Sequence, residues 1–443
     1  MNDLPQTPEE NTPSPAPAAS RRQFIQQAGR GLVAAGVAGT LGAIVPSDAE
    51  AQVTLPSQTG PTDVTLPPLY ASTEAKGSGP PNPQPRDQRV GYAVVGLGHL
   101  TLEEILPAIE QCKKAKLVAL VSGSPDKMQK IARQYSISPQ NCYSYADYDK
   151  LKDNAAVEII YIVLPNSMHH EYVLRGARAG KHILCEKPMA TSVKECEEMI
   201  AACNKVGKKL MIAYRIQYEP KNWAVQRMVR DKTYGKVKLI DMGNTQNVGD
   251  PTQWRLKKAL AGGGSLPDIG LYCLNTVRFL LGEEPTEVIA TTYSTPGDER
   301  FREVEEMASF QLQFPSGCLV KAVSSYGTYN TKRYRVYAEA GAIDMDPAFP
   351  YHGIQMQTFH APDGTEHKEQ PQITEKNQFA AEMDHMAECV RQNKTPYTPG
   401  EEGLQDHRIM EAIYQSARQG GKPVKLPAVA KLDAFRGSPP TQS

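Results

Sequence analysis

The stretch Gly91-Tyr92-Ala93-Val94-Val95-Gly96-Leu97-Gly98-His99-Leu100-Thr101 decides how this chain is read. An apolar strand runs into a Gly-x-Gly turn, and a helix follows through about residue 112. Gly96 and Gly98 permit the tight turn and the close approach of backbone to a pyrophosphate; the third position of the dinucleotide fingerprint, which mainly serves helix–strand packing, is Thr101. A Gly-x-Gly alone is a weak signal. Its weight comes from heading an alternating series: strand 117–121, helix from 125, strand 157–163, helix 168–179, strand 181–184, helix 191–206 and strand 209–213. Short loops between alternating strands and helices predict a parallel sheet covered on both faces.

The ends of these strands carry the chemistry, because open α/β sheets bind ligands beyond their carboxyl ends. The second strand ends Val121-Ser122-Gly123-Ser124, with Lys127 shortly after. A NAD site would put Asp or Glu there for the ribose hydroxyls. A hydroxyl and a lysine suit a 2′-phosphate instead, so NADP is the expected cofactor; Asp126 reads as a first-turn helix carboxylate. Leu164-Pro165-Asn166 follows the third strand, either as a rigid turn facing the cofactor or as a helix start. Cys185-Glu186-Lys187-Pro188 follows the fourth, and the proline fixes the loop that aims Lys187.

Past residue 214 the pattern changes. The β-rich stretches 236–247, 286–294, 304–314, 317–325 and 332–345 alternate in polarity and have Pro/Gly turns, which predicts a mostly antiparallel sheet with one exposed face. Helices are expected at 268–281, 376–392 and 401–419. The run Gly262-Gly263-Gly264 lets the chain pass close to another backbone or a ligand. It leads to Asp268 and Tyr272, four apart and on one helix face. A tyrosine, a lysine and a carboxylate can form one proton-transfer unit, with Lys187 tuning the tyrosine as proton carrier and Asp268 orienting the donor. The fold class expected is an α/β Rossmann domain with a parallel sheet, followed by an α+β domain with a large, mostly antiparallel open sheet.

With 443 residues, two domains are expected. The formal net charge is zero, which argues against nucleic-acid binding. Arg21-Arg22, the weakly apolar run 28–45 and Ala49-Glu50-Ala51 predict a twin-arginine (Tat) export signal cut near Ala51, hence a periplasmic protein with no stable membrane insertion. The segment 52–88 is Pro-rich, either a linker or an arm that docks on a neighbouring subunit. The domains follow as 89–213, 214–425 and a tail 426–443. None of the eight cysteines forms a CxxC pair or a zinc spacing, so no metal is expected, and free buried thiols are favoured over disulfides.

GLG at 96–98, LPNS with His169, CEKP at 185–188 and GGGSL-DIG-Y over 262–272 resemble the Gfo/Idh/MocA oxidoreductases, and within them the glucose–fructose oxidoreductase subgroup, over residues 86–425. The resemblance implies Lys187, Asp268 and Tyr272 as the catalytic group. It implies Ser122, Lys127 and Tyr145 around the 2′-phosphate and adenosine, and Glu186, Arg215, Trp254 and Arg255 near cofactor or sugar. Gly96, Gly98, Leu164, Pro165, Asn166 and His169 would complete the cofactor site. It further implies tightly held NADP, association as a dimer or tetramer through the open sheet, oxidation of an aldose to a lactone, and reduction of a ketose such as fructose. An exported dehydrogenase of another sugar or cyclitol, or a non-catalytic sugar binder, are the alternatives. Thr101, Ile216-Gln217 and the loop 247–251 depart from the family pattern, the last two near the expected sugar pocket.

Overall fold

The protein is described from a computed structural model covering residues 88–440; the expected export signal, its cleavage site and the Pro-rich arm lie outside the described residues. The strands β1 (Val90–Val95), β2 (Ala115–Val121), β3 (Cys142–Tyr143), β4 (Ile159–Ile162), β5 (His182–Glu186) and β6 (Leu210–Ala213) form a parallel sheet in the order β3-β2-β1-β4-β5-β6. All six residues of β1 are buried, as expected of a strand covered on both faces. Strand order reverses between β1 and β4, so the ligand crevice opens beyond their carboxyl ends. Strand β5 runs two residues further than the sequence suggests, so Lys187 is the first residue past its end.

One layer on this sheet comes from far along the chain. The helix Gln378–Arg391 packs Phe379, Met383 and Met386 against Tyr92, Ile109 and Met211. Tyr92 donates to the Met383 carbonyl at 2.6 Å, and the Asp384 carboxylate accepts from the backbone N–H groups of Lys113, Lys114 and Ala115. A helix placed by sequence in the second domain thus closes the first.

The second sheet has nine strands: β7 (Val237–Asn247), β8 (Glu287–Tyr293), β9 (Met307–Gln313), β10 (Leu319–Ser325), β11 (Gly327–Ala338), β12 (Gly341–Met345), β13 (Met356–His360), β14 (His367–Glu369) and β15 (Val424–Lys425). Its order is β14-β13-β12-β11-β7-β10-β9-β8-β15, antiparallel except for the β7–β10 pair. The single expected run 332–345 resolves into the β11–β12 hairpin. Helices Leu271–Leu281 and Gly400–Arg418 cover one face, and the alternating pattern of β9 shows the other open. The helix Pro220–Arg230, capped by the Glu219 carboxylate, and the strands β13 to β15 were not foreseen.

The tail is packed against the domain: Leu426 donates to Thr286, and Asp433 binds Arg230. All eight cysteines are unpaired and seven are buried. Among the described residues no helix is long and apolar enough to cross a membrane.

Candidate active site

The turn after β1 is shaped for a phosphate. Gly96 sits at φ +94°, and a Cβ there would lie 2.1 Å from the Val163 carbonyl oxygen; a Cβ on Gly98 would meet only open space, the room a ligand needs. Thr101 is fully buried and its hydroxyl donates to the Gly96 carbonyl at 2.6 Å, so this departure from the family pattern fastens the turn to the helix it opens. At the end of β2, Ser122 is held by its N–H on the Tyr143 carbonyl, and its Oγ accepts from Ser124. Lys127 reaches from the next helix to the Leu97 carbonyl at 3.3 Å. The ring of Tyr145 lies against Gly123 and packs edge-on to Tyr172. The structure therefore brings Ser122, Lys127 and Tyr145 together beside the glycine turn, with Asp126 exposed on the helix start.

Leu164 and Pro165 follow β4 and precede the helix Asn166–Arg178. Asn166 donates across the crevice to the Ala261 carbonyl at 2.9 Å. His169 is fully buried, with its two ring nitrogens 2.9 Å from the carbonyls of Leu164 and Pro188. It ties the two strand-end loops together and does not face the crevice.

Past β5, Lys187 places its ammonium 2.9 Å from both the Oδ1 and the backbone oxygen of Asp268, and 4.7 Å from the centre of the Tyr272 ring. Burial acts to lower the lysine's pKa, but the Asp268 carboxylate, then Tyr272 and Glu186, outweigh it and hold the ammonium well above its ordinary range. Lys187 is thus a fixed cation and not a base. The Oδ2 of Asp268 accepts from Arg255 Nε at 3.1 Å and from Tyr326 at 2.7 Å. Burial opposes its ionisation, but Lys187 and Arg255 pull the carboxyl well below the carboxylate range. Trp254 supplies the surface on which Arg255 stacks, at 4.6 Å.

Asp268 and Tyr272 do not share a regular α-helix. Residues Leu266–Gly270 form a single π-helical turn before the helix Leu271–Leu281, a local widening that often marks function. The glycine run approaches another backbone as expected: a Cβ on Gly264 would lie 1.9 Å from the Glu305 carbonyl oxygen. The Glu305 carboxylate accepts from the N–H groups of Gly264 and Leu266, which locks the turn.

Arg215 is the second cation at Tyr272. Its Nε donates to the phenol at 3.1 Å, and its remaining nitrogens bind the carbonyls of Phe349 and Pro350 and the side chain of Gln378. Tyr351 lies 4.5 Å under the same guanidinium. Tyr326, Tyr351 and Glu305 were missed by sequence reasoning.

Glu186 and Gln217 are both buried. Glu186 points into the core, where it accepts from Tyr161 at 2.7 Å and faces the buried Glu382; burial raises its pKa. Gln217 is fully buried, bonded to Asn275 and Glu402.

Two cations around a phenol, beside a phosphate-shaped glycine turn, define a dinucleotide-dependent oxidoreductase site. Residues 90–214 match the Gfo/Idh/MocA oxidoreductase family, NAD-binding Rossmann fold, and residues 226–426 match its C-terminal alpha/beta domain. The chain belongs to this family. It is 31% identical over 337 residues to a D-xylose 1-dehydrogenase [NADP(+)] of Haloarcula marismortui, covering 75% of this chain and 92% of the relative. It is 27% identical to a D-xylose 1-dehydrogenase (NADP(+)) of Haloferax volcanii, covering 74% and 98%. A solved aldose–aldose oxidoreductase from Caulobacter crescentus, complexed with glycerol, is 45% identical with a TM-score of 0.74, covering 76% of this chain and all of that one.

Proposed function

We propose that the protein is an NADP-containing sugar oxidoreductase that oxidises an aldose at C1 to a lactone and reduces the carbonyl of a second sugar. The observation that carries this reading is the placement of Tyr272 between the ammonium of Lys187 and the guanidinium of Arg215. Gly96, Gly98, Ser122, Lys127 and Tyr145 would hold the dinucleotide, and the absence of a carboxylate at the end of β2 favours NADP. That fit agrees with the NADP named for the two xylose dehydrogenases.

NADP, when bound, supplies the hydride acceptor and donor. Tyr272, as the phenolate, takes the proton of the anomeric hydroxyl as the C1–H bond breaks and returns that proton to the carbonyl oxygen of the second sugar. Lys187 and Arg215 stabilise the negative charge that develops at the reacting oxygen, in a site where fixed charges act without reorganisation. Asp268, held ionised, keeps Lys187 and Arg255 in place. The sequence points to a ketose as second sugar; the 45% likeness to an aldose–aldose oxidoreductase supports an aldose in that role.

The twin-arginine leader supports export to the periplasm, where NADP must stay bound between half-reactions. The open sheet face, where Leu319 and Tyr337 stand exposed on either side of Leu239 across neighbouring strands, supports association of subunits through it. The test is direct. Mature protein is purified, its cofactor released and identified, and intact protein titrated with aldoses while the absorbance of reduced nicotinamide is followed; a second sugar should then reverse the change. Protein that carries NADP but shows no absorbance change with any aldose would refute the reading.

A further inference from the structure

Between β12 and β13 the chain closes on itself. The Gln355 N–H donates to the Pro347 carbonyl at 3.0 Å, and the Ala348 N–H donates to the Lys332 carbonyl at the base. A loop of this length with joined ends is an Ω-loop, a form that frequently carries function. Its base is rooted, because Ala348, Phe349 and Ile354 are buried. Its tip is not: Tyr351 is 39% exposed and the His352 side chain 48%.

Two parts of the Rossmann domain meet this loop. One is the turn after β6, where Arg215 donates to the Phe349 and Pro350 carbonyls and lies over the Tyr351 ring. The other is Thr101–Ile105, the first helical turn behind the glycine turn of β1. There the Glu104 carboxylate lies 3.4 Å from His352 Nε2. Strands β1 and β6 are three spacings apart in the sheet, about 14 Å. Between them lie β4 and β5, whose ends carry Leu164 and Lys187. The loop thus reaches along the carboxyl edge of the sheet, beside the crevice where the dinucleotide belongs.

Glu375, from the segment before the helix Gln378–Arg391, completes the tip. Its oxygens accept from the Gly353 N–H at 3.0 and 3.2 Å, and Oε1 lies 3.7 Å from His352 Nδ1. Each ring nitrogen of His352 therefore faces a carboxylate, one on the glycine-turn helix and one beside the loop itself. The Glu104 side chain is only 16% exposed, so solvent screens this contact less than an ordinary surface pair. We infer that residues 347–355 are a strap across the dinucleotide crevice and that His352 is its latch on Glu104. NADP enters and leaves when the latch is open; the buried base stays in place and the tip moves.

The test follows exchange of bound NADP for labelled NADP in excess, in the mature holoenzyme and its variants. It needs no sugar turnover, so it stands or falls apart from the proposed reaction. His352→Gln and Glu104→Gln should each speed exchange about fivefold, the upper value of one partly exposed ion pair. Combined, they should do no more than either alone, because both remove one contact. His352→Glu sets a third carboxylate beside two and should speed exchange about tenfold or more. His352→Arg keeps a cation there and should stay within about twofold of the parent. Arg408→Gln breaks a comparably exposed pair with Glu197, away from the loop, and should leave exchange at the parental rate. Parental exchange in His352→Glu would overturn the latch, as would additive effects of His352→Gln and Glu104→Gln. Equal acceleration in Arg408→Gln would assign the effect to general loosening of the fold and overturn it as well.

Discussion

The Nε of Arg215 donates to the hydroxyl of Tyr272 at 3.1 Å while the same guanidinium lies 4.8 Å from the centre of that ring. With Lys187 on the ring as well, the phenol is faced by two cations, Arg215 buried and Lys187 largely so. Negative charge at the reacting oxygen is therefore stabilised by groups already in place. Arg215→Gln should lower kcat about 10²-fold, the usual cost of one such donor, with KM for the sugar and cofactor content near the parent values. Tyr272→Phe should lose about 10²–10⁴ in kcat, as expected for a general acid–base group. Single-turnover reduction of the bound cofactor reads both. A Tyr272→Phe protein with parental turnover would sink the assignment.

The site at the end of β2 makes a separate prediction about the cofactor. Lys127 is held across the crevice mouth by the Leu97 carbonyl. Lys127→Ala should weaken NADP binding about 10–100-fold, the value of a hydrogen bond to a charged group, and leave NAD binding nearly unchanged. Ser122→Asp supplies the strand-end carboxylate that the chain lacks and should reverse the preference toward NAD. Reconstitution of cofactor-free protein, followed by titration with each dinucleotide, measures both changes. Equal losses for the two cofactors in Lys127→Ala would place the lysine away from the 2′-phosphate.

The Rossmann half was legible because strands buried on both faces are continuous apolar runs bounded by Gly, Pro and Asn, as at β1 and β4. The helix Pro220–Arg230 was hidden because Asn222 and Gln226 are buried in polar contacts, which breaks the apolar period. The strands β13 to β15 are short and lie toward the sheet edges. In the site, Lys187, Asp268 and Tyr272 stand in local motifs. Tyr326, Tyr351 and Glu305 have no such signal, since each reaches the site on a distant strand or loop. Gln217 stands two residues after Arg215 in the 3₁₀ turn Arg215–Tyr218, and its bonds to Asn275 and Glu402 are long-range contacts with no signal in the local sequence.

Three histidines make acid lability a property of the core. Nδ1 of His182 accepts from the Lys209 N–H, Nε2 of His385 from Tyr397, and Nε2 of His407 from Ala190. Protonation would set a hydrogen against each donor. Burial, chiefly, holds all three at about 4. A depressed histidine contributes stability above its unfolded pKa of about 6.5, and this is lost as pH falls from there through the folded value near 4. Buried acids with raised values, such as Glu382 and Asp406, act in the opposite sense, so the histidines are read by difference. Moving from pH 7 to pH 4.5 should favour His385→Gln or His407→Gln over the parent by about 2–3 kcal/mol each. Urea unfolding at the two pH values measures this; parallel pH dependences in parent and variants would exclude it.

The tail reaches the catalytic turn through Arg436. Its side chain is 1% exposed, with Nη2 2.6 Å from Glu402, Nη1 3.3 Å from Asp433 and Nε 3.4 Å from Gln217. Glu402 also binds the fully buried Arg278, and these two arginines overcome burial to hold its carboxyl below the usual range. Removing one partner from such a cluster leaves an uncompensated buried charge, which costs about 3–5 kcal/mol. Arg436→Ala should therefore lose that amount in urea unfolding, and a chain ending at Lys425 at least as much. Gln217 stands in the same turn as Arg215, so the variant should also lower kcat more than it raises KM, as Arg215 loosens on Tyr272. Arg436→Lys keeps the charge but not the fork and should fall between parent and alanine in both measurements. An Arg436→Ala protein with parental stability would show that the tail contact adds nothing to the core it enters; one that is destabilised yet keeps parental kcat would confine Arg436 to a structural role.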